Sequence, residues 1–283
     1  MHEPAPGTLV EPRRFRVTLH WELLTCGWAG HELVGTDAAS LHPEDSLVAR
    51  ELGGVRFHRC LRCDSWLPLA PPASPTRDAL PGHDEIDLPL RGKPLRDKIV
   101  LRLIAINRAF HFVVLGLLAI LGFVLASHRS DLQGPVTRAI ADLQGGVVAG
   151  AGHAKHGLLH EIDHLFTLDS SKIRVFAAVI AVYALVEGIE AVGLWYQQRW
   201  CEYLTFLVTA SLLPFEVYEL TNRVTVFKVL AFAINVAVVI YLLFAKRLFG
   251  VRGGAAADEA ERERDMGWGA LERATPELAV RRP

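Results

Sequence analysis

Cysteine is scarce in this chain, with 4 among 283 residues. That is too few for a secreted disulfide scaffold of this length. Net charge is nearly absent as well: 30 Lys and Arg stand against 31 Asp and Glu, leaving −1. A nucleic-acid-binding protein would carry a clear basic excess, so that class is set aside. The opening MHEPAPGTLVEPRRFRV lacks the apolar core of a secretory signal, so membrane delivery is expected to depend on internal segments. Disorder throughout is excluded by a hydrophobic content of 51%. What needs explaining is a mean hydropathy of +0.25, where a soluble domain would usually be negative.

The apolar residues are concentrated. A transmembrane helix needs about 20 mostly apolar residues to cross roughly 30 Å of hydrocarbon. Four stretches answer to that: Ile104 to Ala126, Val175 to Trp195, Trp200 to Tyr218, and Val226 to Phe244. The third is short and holds Pro214 and Glu216, and Arg108 lies near the start of the first. Seven of the 15 prolines fall within residues 65–98, a density that disfavours helix and reads as an extended tether.

Basic residues set the expected orientation. Arg91, Lys93, Arg96, Lys98 and Arg102 precede the first span, and Lys246, Arg247 and Arg252 follow the fourth. Both termini are therefore expected to be cytoplasmic, in a multi-pass protein of the cell membrane. Trp195, Tyr196, Trp200 and Tyr203 cluster at the turn between spans two and three, as an interfacial aromatic belt would.

Chemistry is suggested in three places. Cys60-x2-Cys63 has the spacing of a zinc knuckle, and Cys26-x4-His31 supplies two more ligands of the right kind. Together they would make a closed Cys3His site, structural or partner-binding rather than catalytic. The 28 residues between the two pairs imply an insertion, with His20 and His58 as substitute ligands. Trp28, Leu33, Val55, Phe57 and Trp66 are the expected apolar cluster around the metal. The competing reading is a set of reduced thiols without metal.

Polar residues within the spans form the second group: Glu187, Glu190, Glu202, Glu216, Glu219 and Asn235. Glu187 and Glu190 share a helix with small residues at three- and four-residue spacing: Ala177, Ala181, Ala184, Gly188 and Ala191. Such a stripe lets another helix approach closely, so both acids are expected to face the bundle interior. A lipid-facing acid would cost about 2.5 to 3.5 kcal/mol on the insertion scale. One reading is a proton- or cation-coupled small-solute transporter using these glutamates. The other is interhelical packing alone, favoured by the lack of paired halves.

The third is His160-Glu161-Ile162-Asp163-His164, which satisfies H-E-x-x-H. There two histidines one turn apart bind zinc and the Glu activates water. His160 and His164 are thus alternative metal ligands of a membrane metallopeptidase. The surrounding GLLHEIDHLF also reads as an amphipathic interfacial helix on the extracytoplasmic face.

Residues 183–220, YALVEGIEAVGLWYQQRWCEYLTFLVTASLLPFEVYEL, carry Glu187-Gly188, Glu190, Gly193-Leu194-Trp195, Arg199-Trp200, Glu202-Tyr203, Pro214, Glu216 and Glu219. With Asn235 and Tyr241 they resemble a family of bacterial membrane proteins catalogued as domain of unknown function 2127. The resemblance covers roughly residues 95–247 and implies a four-span membrane domain without bringing an activity. Some members are similar at the N-terminus too, in a Cys/His segment ending RCLRC, as at residues 59–63 here. H-E-x-x-H is not a feature associated with that family.

The expected fold is an all-α membrane protein of four transmembrane helices with a small cytoplasmic zinc-ribbon-like module. Residues 1–70 are assigned to that module, 71–98 to a Pro-rich linker, 99–249 to the transmembrane domain and 250–283 to a flexible cytoplasmic tail. The leading functional expectation is a non-enzymatic membrane protein with structural zinc. Its partners would be the lipid bilayer, a cytoplasmic protein held through the zinc module, and a second copy in a homodimer, with no nucleic acid.

Overall fold

A computed structural model describes residues 19–128, 169–222 and 224–275. The fold is mainly helical, as expected, and it divides into two compact units. One comprises the chain up to Val100 and from Ile240 onward, the other Leu101–Val239. The H-E-x-x-H segment and its proposed amphipathic helix lie outside the described residues.

The first unit departs from an all-helical plan by a small antiparallel sheet. After helix α1 (Trp21–Ala29) and a 3₁₀ turn at Pro43–Leu47 come β1 (Ala49–Leu52), β2 (Val55–Arg59) and β3 (Trp66–Leu69), in the order β1-β2-β3. Gly53 and Gly54, with φ of +58° and +78°, make the two-residue β1–β2 turn that needs positive φ twice. The core here is Val48, Leu61 and Leu271, with Leu80, Ile86, Leu88 and Trp268 packed against it.

That core changes the reading of two segments. Residues 71–98 are not a free tether: Leu80, Ile86 and Leu88 are part of the packing, and helix starts already at Gly92. Residues 254–274 are not a loose tail either, since they form α6 (Gly254–Arg264) and α7 (Gly267–Ala274). Leu271 of α7 is 1% exposed. The high charge of ADEAERERD hid this, because one buried leucine and an adjacent tryptophan suffice to dock so short a helix. The expected cluster around Trp28 does not form, as that side chain is 93% exposed.

The long helices are α2 (Gly92–Ser127), α3 (Ser170–Trp195), α4 (Arg199–Asn222) and α5 (Val226–Ile240). α5 continues through one π-helical turn, Tyr241–Ala245. Among the described residues, four helices are long and apolar enough to cross a membrane, with α5 lying inside the fourth. At 36 residues α2 is roughly 54 Å long, more than a bilayer core requires. α4 runs on through Pro214 without breaking.

Along α3 the two faces separate cleanly. Val175, Val179, Val182, Leu185, Ile189 and Val192 point outward, while Ala177, Ala184, Glu187, Glu190, Ala191 and Leu194 are buried. An exposed apolar stripe of that length suits lipid and would be a liability in water. The small-residue stripe meets α2: a Cβ on Gly122 would stand 2.9 Å from the Ala177 Cβ, and one on Gly188 3.0 Å from the Phe112 ring. The close approach expected from Ala177 to Ala191 is therefore made, and α2 is the helix that makes it.

Candidate functional site

The Cys/His cluster is assembled from two backbone turns. Cys26 lies on the buried side of α1. Gly30, at φ +86°, donates its N–H to the Cys26 carbonyl at 2.9 Å and ends the helix. This reversal brings His31 back towards Cys26. The second turn joins β2 to β3. There the Cys60 N–H donates to Ser65 O at 2.8 Å, and the Asp64 N–H to Cys60 O at 3.0 Å. Asp64 adopts φ +63°, a conformation that Asp tolerates better than most residues. The two pairs are held together by the Leu61 N–H donating to Glu32 O at 2.9 Å.

All four candidate ligands, Cys26, His31, Cys60 and Cys63, have donor atoms within 4.8 Å of one another. Cys26 Sγ is 3.7 Å from Cys60 Sγ, and Cys63 Sγ is 3.4 Å from His31 Nδ1. Bonds of ~2.3 Å to sulfur and ~2.0 Å to nitrogen around a tetrahedral ion would separate two sulfurs by roughly 3.8 Å and sulfur from nitrogen by roughly 3.5 Å. The donors thus stand at coordination spacing, and the cluster can hold a metal ion. His20 and His58 are not needed: the buried His58 places Nδ1 3.0 Å from Val34 O.

The thiols differ in their hold on a proton. Burial works against the Cys60 thiolate, yet backbone N–H groups of Cys63 and Arg62, together with His31, bring its pKa down to about 7. Burial and the neighbouring thiols push Cys26 up to about 12. Three thiolates so close repel one another, and a divalent cation is what would let all three ionise. Arg62 Nη1 lies 3.9 Å from Cys26 Sγ while its Nη2 pairs with Glu32 at 2.6 Å, an outer contact suited to a sulfur carrying negative charge.

Around the knuckle the supporting groups are charged rather than apolar. Arg59, 0% exposed, donates to Asp64 at 2.6 Å and 3.0 Å, to Leu271 O at 2.9 Å and to Thr275 Oγ1 at 2.7 Å. Arg91 grips the other side of Asp64, at 3.0 Å to Oδ1 and more closely to Oδ2. Asp64 thereby ties the Cys60–Cys63 turn to the start of α2, and Arg59 ties it to α7.

A second constellation lies within the four long helices. Arg108 of α2 is 2% exposed, and Glu187 and Glu190 of α3 are both 0% exposed. Nη1 of Arg108 donates to Glu187 Oε1 at 2.8 Å, its Nη2 donates to Thr209 of α4, and its Nε is 3.3 Å from Glu190 Oε2. Both acids face the bundle interior, where the small-residue stripe put them. The arginine was missed by pairing logic, although a single Arg at a span's apolar start needs a counter-charge. The remaining polar residues are placed separately. Asn235 donates to Glu216 Oε1 at 2.5 Å, Lys228 is 3.5 Å from Glu219, and Glu202 is buried at 2% exposure.

Comparison with known proteins decides the family. The model for "Predicted membrane protein (DUF2127)" matches residues 100–246. The chain belongs to this family. Two relatives, each described as an uncharacterized protein, come from Mycobacterium tuberculosis (strain H37Rv) and Mycobacterium bovis. Each is 33% identical over 247 residues, covering 87% of this chain and 92% of the relative. No solved structure matches. The DUF2127 match spans most of the long-helix region, whereas the alignments to the relatives extend well beyond it. DUF2127 membership, with four long apolar helices, makes this a multi-pass membrane protein.

Proposed function

We propose that this DUF2127 protein uses its first unit as a zinc-stabilised cytoplasmic module, and that the module recruits a protein partner to the membrane. The observation that carries this is the donor set itself. Three thiols and one imidazole complete a tetrahedral shell, which suits Zn²⁺ and leaves no position for substrate or activated water. The site therefore holds structure rather than performing catalysis. Charge supports the cytoplasmic side, since Arg91, Lys93, Arg96 and Lys98 precede the first span and Lys246, Arg247 and Arg252 follow the fourth. Reduced thiols also persist there.

Metal analysis of the full-length protein, purified in detergent without chelator, is the test. One zinc per chain is expected, lost on Cys60→Ser and kept on His160→Ala. Chelation should also expose the Cys60–Cys63 turn to protease, because metal binding and folding are coupled in so small a site. Absence of stoichiometric metal, or zinc that survives Cys60→Ser, would overturn the proposal. For recruitment, a photo-crosslinking residue at the outward-facing position 28 should form in cells a defined protein adduct that Cys60→Ser abolishes. Lipid adducts alone would refute that part.

A further inference from the structure

We infer that the buried Arg108–Glu187–Glu190 cluster is a proton-binding site, with Glu190 held as the neutral acid at neutral pH. The argument begins with charge. Arginine remains protonated in proteins, so one guanidinium faces two carboxyl groups, all three at 0–2% exposure. One carboxylate balances it. A second would leave a net negative charge among apolar side chains, which burial strongly opposes.

Geometry says which acid is which. Glu187 has the well-formed bond, 2.8 Å from Arg108 Nη1, and His111 Nδ1 lies 3.8 Å from its other oxygen. Glu190 has only the 3.3 Å approach of Arg108 Nε, and neither of its oxygens makes a hydrogen bond among the described residues. The Thr205 hydroxyl of α4 lies beside Glu190 and is 0% exposed, with no other partner for its oxygen among the described residues. A proton on Glu190 removes the surplus charge and gives it an O–H that Thr205 Oγ1 can accept.

Among the described residues, further titratable groups approach the cluster from its own helices. From α3, Tyr183 reaches Glu187; from α4, Cys201 and Glu202 lie on the Glu190 side; all of these are neutral or anionic. His111 of α2 is directed at Glu187 and is 40% exposed. Lys228 and Asn235 of α5 are engaged by Glu219 and Glu216.

Infrared spectroscopy of the full-length protein in lipid at neutral pH reads the proton directly. The native spectrum minus that of Glu190→Gln should show one protonated-carboxyl band, shifted in D₂O. Glu187→Gln should remove the same band, because Glu190 then ionises against Arg108. Stability gives an independent reading. Glu190→Gln replaces a neutral acid by a neutral amide, so its thermal midpoint in detergent should stay within a few degrees of native. No protonated-carboxyl difference band would overturn the inference, because both acids would then be ionised. A collapse of stability in Glu190→Gln would overturn it too, by showing that Glu190 works as an ion.

Discussion

Single side chains in this protein often do work usually given to apolar cores. Arg59 is the clearest, a fully buried guanidinium whose bonds reach Asp64, Leu271 O and Thr275. Arg59→Met keeps much of the volume and loses all of these, leaving one face of the Asp64 carboxylate unmet and Leu271 O with the Thr275 hydroxyl alone. Removing one member of a buried pair costs about 3–5 kcal/mol. Here the lower end is expected, about 3 kcal/mol, because Asp64 keeps Arg91 and is 30% exposed. Protease resistance of the first unit should fall accordingly, while the long helices keep their circular-dichroism signal. Gly193 is the corresponding point in the membrane unit. A Cβ there would sit 1.8 Å from Cys201 Sγ and 2.8 Å from Cys201 Cβ, so Gly193→Ala should destabilise by about 1–3 kcal/mol through overpacking. Adding Cys201→Ala should recover part of that loss in a detergent melt, since the sulfur is the nearer obstacle.

At the scale of elements, the beginning of α2 is where distant parts of the chain converge. Its first N–H groups are met by two carboxylates: Gly92 N–H donates to Glu22 at 2.8 Å and Lys93 N–H to Asp265 at 2.7 Å. Negative charge at a helix N-terminus is favourable, by about 0.3–1 kcal/mol at the surface and more where partly buried. One turn on, Lys93 binds Asp258 at 2.9 Å and Asp97 at 3.3 Å, and Asp97 binds Lys246 at 3.3 Å. These four buried charges form a network that joins α2 to α6, with the part-exposed Arg96 3.8 Å from Asp97 at its edge. Asp258→Asn should therefore cost about 3 kcal/mol by leaving Lys93 and Lys246 to share the single carboxylate of Asp97, whereas Asp258→Asn with Lys93→Met should cost less than the two single changes added together. A double-mutant cycle on thermal unfolding measures the difference.

These same contacts mark what was legible in the sequence. The spans could be read because a lipid-crossing helix must be apolar over its whole length, whatever it packs against. The Cys60-x2-Cys63 turn and its partners could be read because ligand spacing is local. The stripe from Ala177 to Ala191 could be read because its period is that of the helix. Arg59 meeting Leu271, or Lys93 meeting Asp258, leaves no such local mark. Each joins residues well over 150 positions apart, and an isolated charge looks alike whether solvated or buried. The sheet was hidden for a related reason: β2, VRFHR, alternates in burial, but its inward residues include Arg56 and His58, which a hydrophobic-pattern reading assigns to solvent.

For the whole molecule, the convergence on α2 constrains the path through the membrane. The first unit is built from residues before Leu101 and after Val239, and Arg59–Leu271 and Lys93–Asp258 are direct bonds between those two parts. Segments in such contact lie on one side of a bilayer, so the chain between them crosses an even number of times. Four candidate spans meet that requirement; three or five would not. The weakest of them, α4, with its buried Glu202 and internal Pro214, is therefore expected to cross with the other three, because its loss alone would strand α7 away from Arg59. Single cysteines at exposed positions 28 and 266, introduced after Cys26, Cys60, Cys63 and Cys201 are accounted for by metal protection or replacement, should react with an impermeant maleimide from the same side. Inverted membrane vesicles should label both and intact cells neither, with the cytoplasmic assignment following from the basic residues that flank the first and fourth spans. Labelling of one position from each side would contradict the even count and, with it, the contact between Arg59 and α7 on which the first unit is built.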